Sequence, residues 1–289
     1  MKPALNGERL WALRLMARHA CHRASLRIAA ALLPMLPAPA RQTLAEGAFA
    51  VLGPLLLTER HGRAYGTLQR LGHAPASATT LTARFLAGRW LRKAHARHLQ
   101  SLPFPALQHL LRGMAWHDPG ALWASAAGRR RVVCLLPSGD INLAMAALLD
   151  RPGAPAHYFI NSLHHEASPM HRTLLALQRQ GHRLDIGRPS RCGQALRKLR
   201  RGATVLAVLD PCPWRKTGKA TEPAPLRLAR LAQVPVLLLG HRCDGSTAGT
   251  LHVLGEYGAE SIAGGAAALY SAAHAFLAAA PHDWRDLDR

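Results

Sequence analysis

The rhythm of apolar and polar positions changes near residue 130. Before it, apolar residues recur at helical spacing between basic ones. Arg14, Arg18, Arg23 and Arg27 alternate with leucine and alanine over the first sixty residues, as in a basic helix lying on an anionic membrane or packed on a core. Prolines at 34, 37 and 39 interrupt that pattern, and helices are predicted over residues 41–55, 58–71 and 78–98, with a turn at residues 72–75. After residue 130, short apolar runs alternate with helical-period segments. Strands are predicted at 132–136, 157–160, 184–186, 204–209, 234–239 and 250–254. Helices are predicted at 141–149, 169–180, 192–201, 227–233 and 262–279. This order implies an α/β fold with a largely buried sheet.

The stretch from Arg130 to Asn142 organises the second half. Five apolar residues, Val132 to Leu136, follow a basic turn and read as a buried strand. Pro137 ends the strand, and Ser138, Gly139 and Asp140 form a tight turn in which Asp140 can cap the next helix. A strand, a glycine-containing turn and a capped helix form the place where α/β proteins put their chemistry. The alternative is a plain turn and helix cap.

Charge narrows the partners. Against 16 acidic residues stand 37 lysines and arginines, a formal net charge of +21, which favours an anionic membrane surface, an acidic protein or nucleic acid. The helix at 78–98 carries Arg84, Arg89, Arg92, Lys93 and Arg97, yet aromatics are only 5% of the chain and do not interleave with the cations. Nucleic acid is therefore not an expected partner. The five cysteines are odd in number and never paired as CxxC, the usage of a reducing compartment without a zinc cluster. Glu8, Arg9 and Arg14 interrupt any signal-peptide pattern. The apolar stretches at 28–40 and 47–58 are short and contain proline, and the uncharged stretch at 261–281 is dominated by alanine and glycine. No membrane-spanning helix is predicted.

Several segments, in order, resemble the lipid A biosynthesis acyltransferases, the lauroyl and myristoyl transferases related to lysophospholipid acyltransferases. Residues 60–70 and 85–92 have the texture of that family's helical lead-in. Leu196 to Gly202, the strand at 204–209 and Asp210 match its basic, glycine, strand and aspartate segment. Residues 225–232, 234–239 and 242–245 are similar to its next helix, strand and hairpin, and the tail at 280–289 to its closing Pro-x-x-Trp and Arg signature. The resemblance implies an N-terminal helical, membrane-associating region over 1–120 and an α/β domain over 121–289, with a mixed sheet flanked by helices. It also implies a peripheral place on the cytoplasmic face of a bacterial inner membrane. The acyl donor would be an acylated, acidic acyl carrier protein, with no metal or other cofactor.

The family's chemistry uses a histidine followed five positions later by an acid, the histidine as general base on the acceptor hydroxyl. Matching the family's motif glycine to Gly139 puts Pro137 at the histidine position and Asn142 at the acid position. None of the 17 histidines has Asp or Glu five positions later. The residues at the turn that can still do chemistry are Ser138, as a nucleophile needing a distant histidine such as 157, 164, 165 or 171, and Asp140. Substrate contacts are expected from Arg172, Arg179, Asp210, Arg215 and Lys216, whose cations suit a phosphate of a lipid or of a phosphopantetheine arm. His164, His165 and Glu166 read as a surface loop, without a metal. Two functions follow: an acyltransferase with a rebuilt site, or a non-catalytic descendant that binds an acyl chain or carrier protein.

Overall fold

The computed structural model describes residues 35–125, 129–149, 151, 157–161, 169–179, 183–187, 192–211, 222–243 and 248–288. Four helices come first: α1 (Ala38–Leu56), α2 (Thr58–Arg70), α3 (Pro75–Ser101) and α4 (Phe104–Arg112). Proline starts α1, α3 and α4, where a fixed φ helps and the missing N–H costs nothing. The basic helical pattern of residues 1–34 lies outside the described residues. The sheet begins with β1 (Ala115–His117), followed by the short α5 (Leu122–Ser125).

Alternation then runs β2 (Val132–Leu135), α6 (Ile141–Leu149), β3 (His157–Asn161), α7 (Pro169–Arg179), β4 (Arg183–Gly187), α8 (Cys192–Arg200) and β5 (Thr204–Val208). It continues through α9 (Ala224–Ala232), β6 (Val236–Arg242), β7 (Thr250–Tyr257), α10 (Ala259–Ala263) and α11 (Ala267–Ala279). The seven strands lie in the order β1-β7-β6-β2-β5-β3-β4. Strands β6, β2, β5, β3 and β4 are mutually parallel, while β7 returns antiparallel along β6. The fold is α/β, a mixed sheet flanked by helices with a helical N-terminal region, as the pattern and the resemblance predict.

Why β2 reads as an unbroken apolar run is plain from its neighbours. Val132 and Cys134 enter one core with Phe85, Leu86, Leu228 and Leu269, whereas Val133 and Leu135 enter a second with Leu107, Leu111, Leu143 and Leu148. A strand covered on both faces has no polar side to show. Each fully buried Leu or Phe there contributes roughly 1.5–3 kcal/mol. Arg131, predicted in a basic turn, is fully buried with its guanidinium 4.7 Å from the Trp123 ring centre.

One predicted helix divides. The helix expected at 262–279 is α10 and α11, separated at Gly264 and Gly265, with φ of +101° at Gly265 and +57° at Ala266. Helical periodicity runs through both pieces, but the glycine pair lets the chain turn between them.

Candidate functional site

The central strands deliver their C-terminal ends to one place. Leu136 N–H donates to Leu239 O at 2.8 Å and Leu209 N–H to Leu135 O at 2.9 Å, so β6, β2 and β5 stay in register up to the turn. Pro137 then ends β2, and Gly139 takes φ +56°. A Cβ at Gly139 would run into His241 Nδ1 and lie 2.7 Å from the His241 carbonyl oxygen, so only glycine fits. Asp140 Oδ1 accepts from the Asn142 and Leu143 amides, both at 3.1 Å, and caps α6.

His241, on β6, is the residue that completes the turn. Its backbone N–H donates to Ser138 Oγ at 3.2 Å. Its ring Nδ1 accepts the Asp140 N–H at 3.1 Å, and Nε2 lies 2.9 Å from Ala248 O. An amide can only donate and a carbonyl only accept, so the ring is the neutral tautomer with its proton on Nε2. Both nitrogens are committed to backbone groups.

The C-terminal tail closes over the same turn. Gly139 N–H donates to Asp283 O at 2.9 Å, Arg285 N–H donates to Pro137 O at 2.8 Å, and Ser138 bridges antiparallel to Trp284. Asp283 Oδ2 accepts the Cys243 N–H at 3.2 Å, and its Oδ1 lies 3.8 Å from Arg92 Nη1 on α3. Farther along, Asp288 is bonded by Arg89 Nη1 at 3.1 and 3.3 Å. Pro137, Ser138 and Gly139 are consequently buried, Ser138 completely, and only Asp140 is partly open.

The chemistry available there is limited. Pro137 has no group that accepts a proton, and the Ser138 hydroxyl accepts a backbone N–H. The Cys243 thiol is pushed up to about 12 by burial, then by the Asp283 and Asp140 carboxylates, so it is not a thiolate at neutral pH. Two imidazoles differ, and one of them is in the tail, where His282 Nδ1 is buried without a hydrogen-bond partner among the described residues. His95 Nε2, on α3, is buried without a hydrogen-bond partner among the described residues. Burial pushes its pKa down, and the largest opposing influence is the Asp140 carboxylate. Asn142 lies in the first turn of α6 with its N–H on Asp140.

The predicted substrate contacts scatter. Arg172 donates to the carbonyls of Leu99 and Leu102, both at 2.6 Å, and of Gln100 at 3.2 Å. It thereby ties α7 to the C-terminal end of α3, where backbone carbonyls lack helical partners. Arg179 is exposed in the last turn of α7. Asp210 is half-buried just past β5, on the same sheet edge as the turn. Arg215, Lys216 and the segment with His164, His165 and Glu166 lie outside the described residues. A cavity of about 660 Å³ lies against α8, lined by Gly193, Gln194, Arg197, Lys198 and Arg201. Among the described residues no group of three or more His, Cys, Asp and Glu side chains is placed to hold a metal ion, and no helix is long and apolar enough to cross a membrane.

Sequence reasoning missed His95 and His241 as parts of this site. For His241 a signal existed: it stands near the end of a central strand, as Asp210 does, and such positions line the functional edge of parallel sheets. For His95, no spacing within α3 marks it. No family model matches the chain, and no curated protein matches it.

Proposed function

We propose that this chain is an acyltransferase-like protein working peripherally at the cytoplasmic face of a bacterial inner membrane. There it binds an acyl chain or an acidic acyl carrier protein and transfers nothing through a histidine–acid dyad. The observation that carries the reading is the closed turn. At the strand end where a general base is required, Pro137 stands, Ser138 is fully buried on a backbone amide, and both ring nitrogens of His241 are taken. A histidine base must have a free ring lone pair within reach of the hydroxyl it activates, and the one imidazole at this turn, His241, has both ring nitrogens taken. The basic composition supports anionic and acidic partners.

The test is thiol release from an acylated carrier protein in the presence of membrane lipid, together with carrier and lipid binding. Binding that weakens as salt rises, with no thiol release above background, is the expected result. Release with an acylated product overturns the non-catalytic reading.

A second reading is favoured by His95. Its buried Nε2, without a hydrogen-bond partner among the described residues, supports a rebuilt transferase in which His95 takes the acceptor's proton and that oxygen attacks the thioester carbonyl. The displaced thiol leaves with the proton. Under this reading His95→Gln abolishes release and Ser138→Ala does not.

A further inference from the structure

The outer side of α1 breaks the ordinary pattern of a surface helix. Its inner side packs on α3: Ala45 is buried, Phe49 meets Trp90 at 6.2 Å between ring centres, and a Cβ on Gly53 would sit 3.1 Å from Leu86. The opposite side should be polar. It carries Leu44, Ala48, Val51 and Leu55, all exposed, with Val51 at 68% and Leu55 at 72%. Residues 44, 48, 51 and 55 repeat at helical spacing, and no charged residue lies among the exposed positions of α1 from 43 to 55. Six of the nine exposed large apolar side chains among the described residues fall between 35 and 55, so the patch is not ordinary scatter.

A group of basic side chains includes Arg60, which follows the stripe in the chain. Arg60 follows Leu55 by five residues, on the first turn of α2, and is exposed, as are Lys93 and Arg285. Desolvation and then Arg89, Arg60 and Arg97 push the Lys93 amine down, with Asp288 the opposing acid. Like charges held this close are relieved by an anionic surface laid against them.

We propose that the outer face of α1, aided by the exposed cations Arg60, Lys93 and Arg285, is the surface by which the protein lies on an anionic lipid bilayer. This rests on the membrane reading above and names its contact. The shape favours lipid over protein. The stripe from Leu44 to Leu55 is about 17 Å long and about 10 Å wide, far below the roughly 800 Å² per partner of a stable protein interface. Shallow insertion of one helix face beside cations is how interfacial helices hold a membrane.

The experiment is flotation of the full-length chain with vesicles of phosphatidylglycerol and phosphatidylcholine, and with phosphatidylcholine alone. The key variant is Leu44→Gln/Val51→Gln/Leu55→Gln, which leaves the net charge unchanged; Leu231→Gln, exposed on α9, is its control. Wild type and the control float with the anionic vesicles, and the triple variant partitions about tenfold or more weaker. Arg60→Gln/Lys93→Gln/Arg285→Gln weakens binding and flattens its salt dependence. Equal flotation of wild type and the apolar triple variant overturns this inference and leaves the membrane reading standing. No flotation of wild type removes both. A change of oligomeric state in the triple variant without vesicles makes the face a contact between copies and overturns the lipid assignment.

Discussion

Two regions of this molecule depart from the rule of apolar inside and polar outside, in opposite directions. At the turn after β2, polar groups are buried: the Ser138 hydroxyl, the His241 ring and the Asp283 carboxylate. On α1, leucine and valine face solvent. Each of these buried groups is bonded to a backbone group of another segment, so together they specify one arrangement of strand, turn and tail. The exposed apolar groups have no partner within the described residues, and a stable surface does not need them. A satisfied polar cluster holds a fold in place. An unsatisfied apolar face points outward to something beyond the described residues.

The comparison breaks hardest at Gly139. Gly139→Ala forces a Cβ into the His241 ring at φ +56° and costs about 3 kcal/mol or more in thermal or urea denaturation. His241→Ala comes next. It strands the Asp140 amide and the Ala248 carbonyl, and about 2 kcal/mol of stability goes with them; an unchanged melting temperature would mean water replaces the ring without loss.

The pH dependence sharpens the same side. Burial holds His95 and His282 below the ordinary histidine value of 6.5. The folded chain then binds fewer protons than the unfolded one once pH falls below that value. Stability is full above it and declines as pH drops toward the depressed folded values. Melting temperatures measured from about pH 7.5 to about pH 5 should fall, and His95→Leu should reduce the fall.

Smaller effects follow. Asp140→Ala removes the α6 cap and costs about 1 kcal/mol, most of it restored in Asp140→Asn. The triple glutamine variant of α1 shifts stability by less than about 0.5 kcal/mol, because those side chains leave no core contact. A large loss there would show that the face is covered within the folded chain.

Much of the scaffold is legible in the sequence, for a local reason. The Ile141–Leu149 helix starts where Asp140 predicts it, and β2 is found from five apolar residues and a proline. Short edge elements are not legible: β1 has three residues and owes its existence to pairing with β7. The site is harder still. His241 meets Ser138 across 103 positions of sequence, because β6 lies beside β2, and Trp284 reaches the same turn from the tail. Arg172 reads as a phosphate ligand in sequence, whereas its partners are carbonyls about seventy residues away. Which side of α1 lacks a partner is equally a tertiary fact, since the helix is apolar on both sides.

The most direct test of the contrast is amide hydrogen exchange on the full-length chain, with and without anionic vesicles. Gly139, Asp140 and His241 should exchange slowly in both states, and residues 44–55 should gain protection only with vesicles. Rapid exchange at the turn, or protection arriving there while residues 44–55 stay unchanged, would contradict the account.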